Sequence, residues 1–341
     1  MKKIVVTGGL GFIGSNLINY LHKKNYFVIN LDKKQFYSSN YNIKNKSKKN
    51  YKFIQIDINQ KEQILKILKK FKPAGIFNLA AETHVDRSID NPDNFIKSNI
   101  LGVYNLLEAL KSYERFEKKI KLIHISTDEV YGDIPIGKKS KENDVYQPSS
   151  PYSSSKASAD LIIKSYCRTY GMNIIVTNCC NNYGPGQYPE KLIPKLVMQI
   201  KRGQPLDIYG KGKNSREWIY VEDHCEALYK IFNKGKIGEN YNIGSGLNIT
   251  NLKLAKKIIS IFNKCQLNKK NIKIRFVKDR PGHDLRYALN INKIKKEIKW
   301  RSKTNFDNGL SITIKWYLNN PKFMKSFLKK ISYKRIGLIN D

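Results

Sequence analysis

The sequence predicts a doubly wound α/β protein: a parallel sheet covered by helices on both faces, joined to a smaller mixed α/β lobe. Three observations carry that expectation. Apolar runs of strand length alternate with amphipathic stretches of helix length through the first half of the chain, the pattern of repeated βαβ units. Several of these runs are continuously apolar, as strands buried on both faces are. A glycine cluster, Thr7-Gly8-Gly9-Leu10-Gly11-Phe12-Ile13-Gly14, falls where the first strand hands over to the first helix.

Taken in order, strands are predicted at Lys3–Thr7, Phe27–Asp32, Lys52–Ile56, Gly75–Leu79, Lys121–Ser126 and Asn173–Asn178. Helices are predicted at Ser15–Lys24, Gln60–Phe71, Asp93–Tyr113 and Tyr152–Tyr170. Right-handed crossovers between parallel strands leave few topologies open. Beyond residue 180 the texture changes. Asn181-Asn182-Tyr183-Gly184-Pro185-Gly186-Gln187-Tyr188-Pro189 and Asp279-Arg280-Pro281-Gly282-His283-Asp284 read as long turn-rich loops of the kind that carry function. A short apolar run at Tyr241–Ile243 predicts a strand that returns to the main sheet.

Composition narrows the class. The chain has 341 residues, with 40% hydrophobic and 11% aromatic content, enough for a large core. No run approaches the roughly eighteen apolar residues of a membrane span. The apolar start is broken by Thr7-Gly8-Gly9 before a signal-peptide core can form. The expectation is a cytoplasmic protein with no membrane partner. Cys167, Cys179, Cys180, Cys225 and Cys265 have no Cys-x-x-Cys or Cys/His spacing, so reduced thiols and no metal site are predicted.

The formal net charge of +35 has two readings, a nucleic-acid-binding surface or a solvated lysine surface. The lysines are spread along the whole chain, and the densest cluster, Lys44-Asn45-Lys46-Ser47-Lys48-Lys49, contains no aromatic residue for base stacking. No nucleic-acid partner is predicted. The positive field favours instead an anionic substrate such as a diphosphate.

Gly9, Gly11 and Gly14 satisfy G-x-G-x-x-G at a strand-to-helix turn, the Rossmann fingerprint that lets backbone approach a pyrophosphate at a helix N-terminus. The second strand ends in Asp32, about eighteen residues after Gly14, where a ribose-binding carboxylate belongs. Lys33 and Lys34 argue for a 2′-phosphate, but the carboxylate would repel one, so NAD is the predicted cofactor. The predicted division is a Rossmann-type NAD-binding domain over 1–180, joined by the strand near 239–243. A substrate lobe over most of 181–318 and a peripheral basic tail over 319–341 complete it.

Pro151-Tyr152-Ser153-Ser154-Ser155-Lys156 places Tyr152 and Lys156 one helical turn apart on one face. Ser149 and Ser150 supply a helix start that tolerates Pro151. A nearby ammonium and a positive nicotinamide would lower the phenol and let tyrosinate act as a base. A further apolar strand, Leu122-Ile123-His124-Ile125, delivers Ser126-Thr127-Asp128-Glu129 to its carboxyl end. Ligands of open α/β sheets bind at such ends. Two adjacent carboxylates there can divide the work, one as acid and one as base.

Thr7–Ser15, Ala80-Ala81-Glu82-Thr83-His84-Val85-Asp86-Arg87-Ser88, Ser126–Gly132, Tyr152–Lys156, Asn178–Pro194 and Arg216–His224 together resemble the dTDP-glucose 4,6-dehydratases. These belong to the extended short-chain dehydrogenase/reductase group, and the resemblance runs to about residue 290. It implies a hydro-lyase that oxidises C4 of a nucleoside-diphospho-glucose, eliminates water across C5 and C6, and returns hydride to C6. Tyr152, Lys156 and Thr127 would serve the oxidation, Glu129 the C5 proton and Asp128 the C6 hydroxyl.

The resemblance further implies cofactor contacts at Gly8, Gly11, Phe12, Ile13, Gly14, Asp32, Lys33, Asp57, Ile58, Leu79, Ala80, Ala81, Thr83, Ser98, Tyr152 and Lys156. Substrate contacts are implied at Thr83, Thr127, Asn181, Glu190, Lys191, Leu192, Arg216, Asn251, His283 and Tyr287, with Arg216 as the diphosphate clamp. A homodimer through helices Asp93–Tyr113 and Tyr152–Tyr170 is implied too. Three alternatives stay open: a UDP-glucose 4,6-dehydratase, a nucleotide-sugar 4-epimerase, and a basic nucleic-acid-binding protein without catalysis. Epimerases of the group share the Tyr/Lys pair but usually lack the Asp-Glu, and pockets discriminate one methyl only by about 1–3 kcal/mol.

Overall fold

The computed structural model describes residues 1–265, 271–328 and 337. The first half follows the predicted alternation. It runs β1 (Lys3–Thr7), α1 (Phe12–Lys23), β2 (Phe27–Asp32), β3 (Tyr51–Gln55), α2 (Lys61–Phe71) and β4 (Gly75–Asn78). Then come α3 (Val85–Asp90), α4 (Asp93–Phe95), α5 (Gly102–Glu114), β5 (Lys121–Thr127), α6 (Pro151–Tyr170) and β6 (Ile174–Cys179). The second half contains β7 (Asn181–Tyr183), α7 (Leu192–Lys201), β8 (Leu206–Tyr209), β9 (Ser215–Tyr220), α8 (Val221–Lys234) and β10 (Asn240–Ile243). It closes with β11 (Asn248–Thr250), α9 (Asn251–Cys265), β12 (Ile274–Val277), α10 (Phe306–Asn319) and α11 (Pro321–Leu328).

Seven strands form one parallel sheet in the order β10-β6-β5-β4-β1-β2-β3. The order turns back on itself between β1 and β4, which opens a crevice at the carboxyl ends of those strands. Register sets Thr7 beside Asn78 and Asn78 beside His124, so one rung of the sheet is polar across three strands. Strand alternation sends Ile4 and Val6 into a core with Leu17, Leu21, Leu228 and Ile231. Val5 and Ile29 point the other way, against Leu106, Leu110 and Ile163. Each such buried side chain contributes about 1.5–3 kcal/mol.

The smaller lobe holds a three-stranded sheet, β11-β9-β7, and the parallel pair β12-β8. Its core gathers Tyr183, Leu196, Trp218, Leu254, Ile258, Leu310 and Ile314. Among the described residues, no helix is long and apolar enough to cross a membrane.

Several expectations shift. Helix α1 starts at Phe12 rather than Ser15, because Gly11 is its N-cap and Gly14 is already helical. The span Asp93–Tyr113 is broken by a π turn over Ile96–Leu101. Ser98 faces the crevice from this turn, and Asn99 is fully buried and tied to Glu82 and Ser155, in keeping with the functional placement of π bulges.

The stretch from Asn181 opens as strand β7, paired with β9, rather than as loop. Residue 180 does not divide the chain cleanly. Helix α8, strand β10 and the segment Leu289–Trp300 pack into the core of the main sheet. The change of texture at 180 marks a site-forming segment, not the end of the sheet domain. Nor is the segment after Asn319 peripheral where it is described: α11 buries Phe323, Met324 and Phe327 in the core of the smaller lobe.

Candidate active site

The crevice at the turn-back point is a large cavity among the described residues, with about 1720 Å³ of empty space including its opening to solvent. Every predicted cofactor position lines it: Gly8, Gly11, Phe12, Ile13, Gly14, Asp32, Lys33, Asp57, Ile58, Leu79, Ala80, Ala81, Thr83, Ser98, Tyr152 and Lys156. Two glycines are sterically obligatory. A Cβ on Gly14 would lie 2.3 Å from the Gly8 carbonyl oxygen, and Gly8 takes φ +66° with Ala80 N 2.7 Å from where its Cβ would stand. Helix α1 begins with no side-chain cap, so its first N–H groups are available to an anion in the crevice.

Asp32 accepts hydrogen bonds from Leu10 N (3.0 Å), Lys34 N (2.7 Å) and Ser38 Oγ (3.2 Å). A carboxylate has about four acceptor positions, so capacity for a ribose hydroxyl is left. Burial pushes its carboxyl up, opposed by those hydrogen bonds. Lys33 donates to Ser98 Oγ (3.0 Å) and lies 3.4 Å from Glu82. Its ammonium is engaged inside the crevice rather than held out for a 2′-phosphate. The residues present fit NAD.

Helix α6 carries the Tyr/Lys pair. Its start is fixed by a capping box between Ser150 and Ser153, with Pro151 in the first turn and Gly171 past the end at φ +61°. Tyr152 and Thr127 share a side-chain hydrogen bond. Lys156 donates to Ile125 O (2.8 Å) and lies 3.3 Å from His124 Nε2. The expected lowering of the phenol belongs to Lys156 together with a positive nicotinamide; the protein's own groups act in the other direction. Burial, then Glu129 and Cys179, push Tyr152 well above its ordinary value, and Thr127 opposes them.

Thr127 caps the turn that follows β5: its hydroxyl accepts from Glu129 N (3.3 Å) and donates to Asp128 Oδ1 (3.3 Å). The two carboxylates differ in their company. Burial pushes Asp128 well above the usual carboxylate range, and Glu129 and Glu217 push it further. Asp128 Oδ2 is buried without a partner. Glu129 is raised by burial too, but Arg280, Arg216 and Lys191 all pull it back.

Of the predicted substrate contacts, Thr83, Thr127, Asn181, Glu190 and Lys191 line the same cavity. Glu190 is already held by Arg87 in a two-point ion pair (2.5 and 3.2 Å), and Lys191 donates to Thr83 O (2.7 Å). Arg216, His283 and Tyr287 form a neighbouring group. The Arg216 guanidinium stacks 4.3 Å from the Tyr287 ring centre. It donates to the carbonyls of Ser215, Leu285 and Asp284, which leaves Nε–H and one Nη2–H as a free fork. His283 bonds Asp279 (2.6 Å).

Neither Arg216, His283 and Tyr287 nor Leu192 and Asn251 are in the cavity lining. Leu192 packs on the smaller lobe's core, and Asn251 is buried at the start of α9 with Oδ1 unpartnered. Arg280 was missed as a single residue, although its loop was singled out. It pairs with Asp86 (2.7 Å), which also accepts from Tyr209, and bears on Glu129.

The sheet order, the glycine crevice and the Tyr152/Lys156 helix define the extended short-chain dehydrogenase/reductase class. A family profile described as GDP-mannose 4,6 dehydratase matches residues 5–313, and the chain belongs to this family of nucleotide-sugar 4,6-dehydratases. The dTDP-glucose 4,6-dehydratase of Haemophilus influenzae is 44% identical over 336 residues, covering 94% of this chain and 99% of its own. The crystal structure of dTDP-glucose 4,6-dehydratase from Bacillus anthracis in complex with NAD is 40% identical, with a TM-score of 0.85 over 95% of this chain and 98% of that one. DesIV, the dTDP-glucose 4,6-dehydratase of Streptomyces venezuelae, solved with NAD bound, is 36% identical with a TM-score of 0.87, covering 94% and 98%.

Proposed function

We propose that this chain is an NAD-dependent hydro-lyase that converts dTDP-glucose to dTDP-4-keto-6-deoxyglucose. The observation that carries this reading is the division between Asp128, pushed well above the usual carboxylate range by burial and neighbouring carboxylates, and Glu129, raised by burial but pulled back by three cations. Elimination of water needs one proton donor and one base, and neighbouring groups pushed apart in this way take those roles.

Tyr152, bonded to Thr127, takes the proton of the C4 hydroxyl. Bound NAD supplies the acceptor for the C4 hydrogen and a positive ring that favours tyrosinate against the burial of the phenol. The glycine turn, the uncapped start of α1 and Asp32 hold it. Once C4 is a ketone the C5 proton is acidic, and Glu129 removes it. Asp128 protonates the C6 hydroxyl as it leaves; the hydride taken from C4 would then return to C6 and a proton to C5, giving the 6-deoxy product with NAD restored. The free fork of Arg216 matches diphosphate oxygens, and Lys191 and Arg280 add positive charge nearby.

The reading includes a homodimer in the cytoplasm. Ile96, Leu101, Tyr104 and Leu161 are exposed on the helical segments around α5 and α6, and an apolar face of this kind suits a second copy. Light scattering should report twice the chain mass.

The test is incubation of the NAD-loaded protein with dTDP-glucose and, separately, UDP-glucose. Loss of one water with appearance of the 4-keto-6-deoxy chromophore in alkali is expected, faster with dTDP-glucose. No product from either substrate with folded, NAD-loaded protein would sink the reading.

A further inference from the structure

Behind the Tyr152/Lys156 pair lies a buried polar cluster that the reaction scheme leaves unused. It starts at the dinucleotide turn. Ala80 N–H donates to Thr7 Oγ1 (3.2 Å), and the Thr7 hydroxyl donates to Asn78 Oδ1 (2.6 Å). The Asn78 amide nitrogen is therefore the atom that faces His124 Nδ1, at 3.0 Å. An amide NH₂ only donates, so Nδ1 must accept and the proton of a neutral His124 sits on Nε2.

That Nε2–H lies 3.3 Å from Lys156 Nζ and 3.6 Å from Asp160 Oδ1. An ammonium has no lone pair to accept it. Asp160 Oδ1 has: it is a buried oxygen with no hydrogen-bond partner, and at 3.6 Å it is the acceptor nearest to that N–H though beyond hydrogen-bond length. The second oxygen of Asp160 accepts from Ser126 Oγ (2.7 Å), Tyr146 OH (3.2 Å) and Asn178 Nδ2 (3.4 Å). His124 and Asp160 are fully buried, and Asp160 stands one helical turn beyond Lys156.

We propose that Asp160 and His124 are positioning residues for Lys156: Asn78 locks the imidazole in its Nε2–H form, the imidazole holds the Asp160 carboxylate toward the ammonium, and that carboxylate keeps Lys156 charged. Burial lowers Lys156, while Asp160 is the first contribution that raises it. Cys179 of β6 also faces the lysine, but burial pushes its thiol up to about 12, so it stays neutral. Tyr146 and Lys164 face Asp160 from its other side. Burial likewise keeps His124 well below its ordinary value.

The proposal rests on the reading that Tyr152 and Lys156 serve C4 oxidation, yet one of its two tests does not depend on activity. Nitrogen NMR of labelled histidine reads the tautomers of the 5 histidines, and the signals missing from His124→Asn identify those of His124. A neutral Nε2–H imidazole that does not titrate near the ordinary histidine value is expected. An Nδ1–H tautomer, or titration near the ordinary histidine value, would overturn the proposal whether or not the enzyme turns over.

The second test follows single-turnover reduction of the bound cofactor by dTDP-glucose across pH. In Asp160→Asn the alkaline limb should move to lower pH by about one unit, with KM within about twofold of wild type. Tyr146→Phe removes a hydrogen bond from the same carboxylate without removing its charge, and its limb should stay in place. An unmoved limb in Asp160→Asn, or an equal shift in both variants, contradicts the proposal. If Asp160→Asn does not fold, the histidine spectrum still decides. Absence of any cofactor reduction in wild type would count against the dehydratase reading instead.

Discussion

Asp128 and Glu129, adjacent in the chain, sit in different electrostatic company: burial and Glu217 raise the first against Arg216, whereas Arg280, Arg216 and Lys191 oppose burial and Asp284 at the second. Both belong to the 3-10 turn capped by Thr127, and both line the crevice. Asp128 is buried and Glu129 half-buried, so burial and neighbours both separate the two carboxylates.

Glu129→Gln should separate oxidation from elimination. The amide cannot take the C5 proton, so reduced nicotinamide absorbance should accumulate while product formation falls by about 10²–10⁴-fold. Stopped-flow absorbance with product quenching checks it. Full dehydration by this variant would mean that the base is elsewhere.

Glu217→Gln addresses the acid. The Glu217 oxygens accept from Gly246 N (2.7 Å) and Leu289 N (2.9 Å), so an amide there turns one donor against another and should destabilise by about 1–3 kcal/mol. It also removes a negative charge that raises Asp128. Because Asp128 is needed protonated, activity is lost as pH rises through its raised value. Without Glu217 that limb should move to lower pH. A pH–kcat profile beside a thermal melt separates the two effects.

Arg216→Lys should raise the KM for dTDP-glucose about tenfold, equivalent to about 1.4 kcal/mol, since an ammonium cannot offer the fork that the stacked guanidinium leaves free. Steady-state kinetics checks the split between KM and kcat. An unchanged KM would remove the clamp from Arg216.

His224 is fully buried at the start of α8, bonded through Nδ1 to Asn182 (2.8 Å), and burial lowers it to about 3. Its folded value lies below its unfolded one, so its contribution is intact above about pH 6.5 and declines as pH falls toward 3. Relative to His224→Gln, the wild type should lose roughly 1.4 kcal/mol per pH unit across that window. Denaturant melts at several pH values read this difference directly.

Local signals made much of this legible in the sequence. The glycine turn, Asp32 at its strand end, the Ser150 cap and the Tyr152/Lys156 spacing are each decided within a few residues. What stayed hidden is set by distant partners. Asn181–Tyr183 becomes a strand because β9 arrives to pair with it. Helix α11 is held by a core assembled from α7, α9 and α10. Glu217 and Arg280 act on the site across long sequence separations, which no spacing rule reports. The raised phenol of Tyr152 follows from a burial that only the closed crevice creates.

The central claim is that the acids after Thr127 turn an oxidation at C4 into a dehydration. Deuterium placed at C4 of dTDP-glucose tests it most directly, with the product analysed by NMR. The account predicts deuterium in the C6 methyl of the 4-keto product, transferred within one molecule. Deuterium still at C4 in an inverted or unchanged sugar would contradict it and assign the Tyr152/Lys156 pair to epimerisation instead.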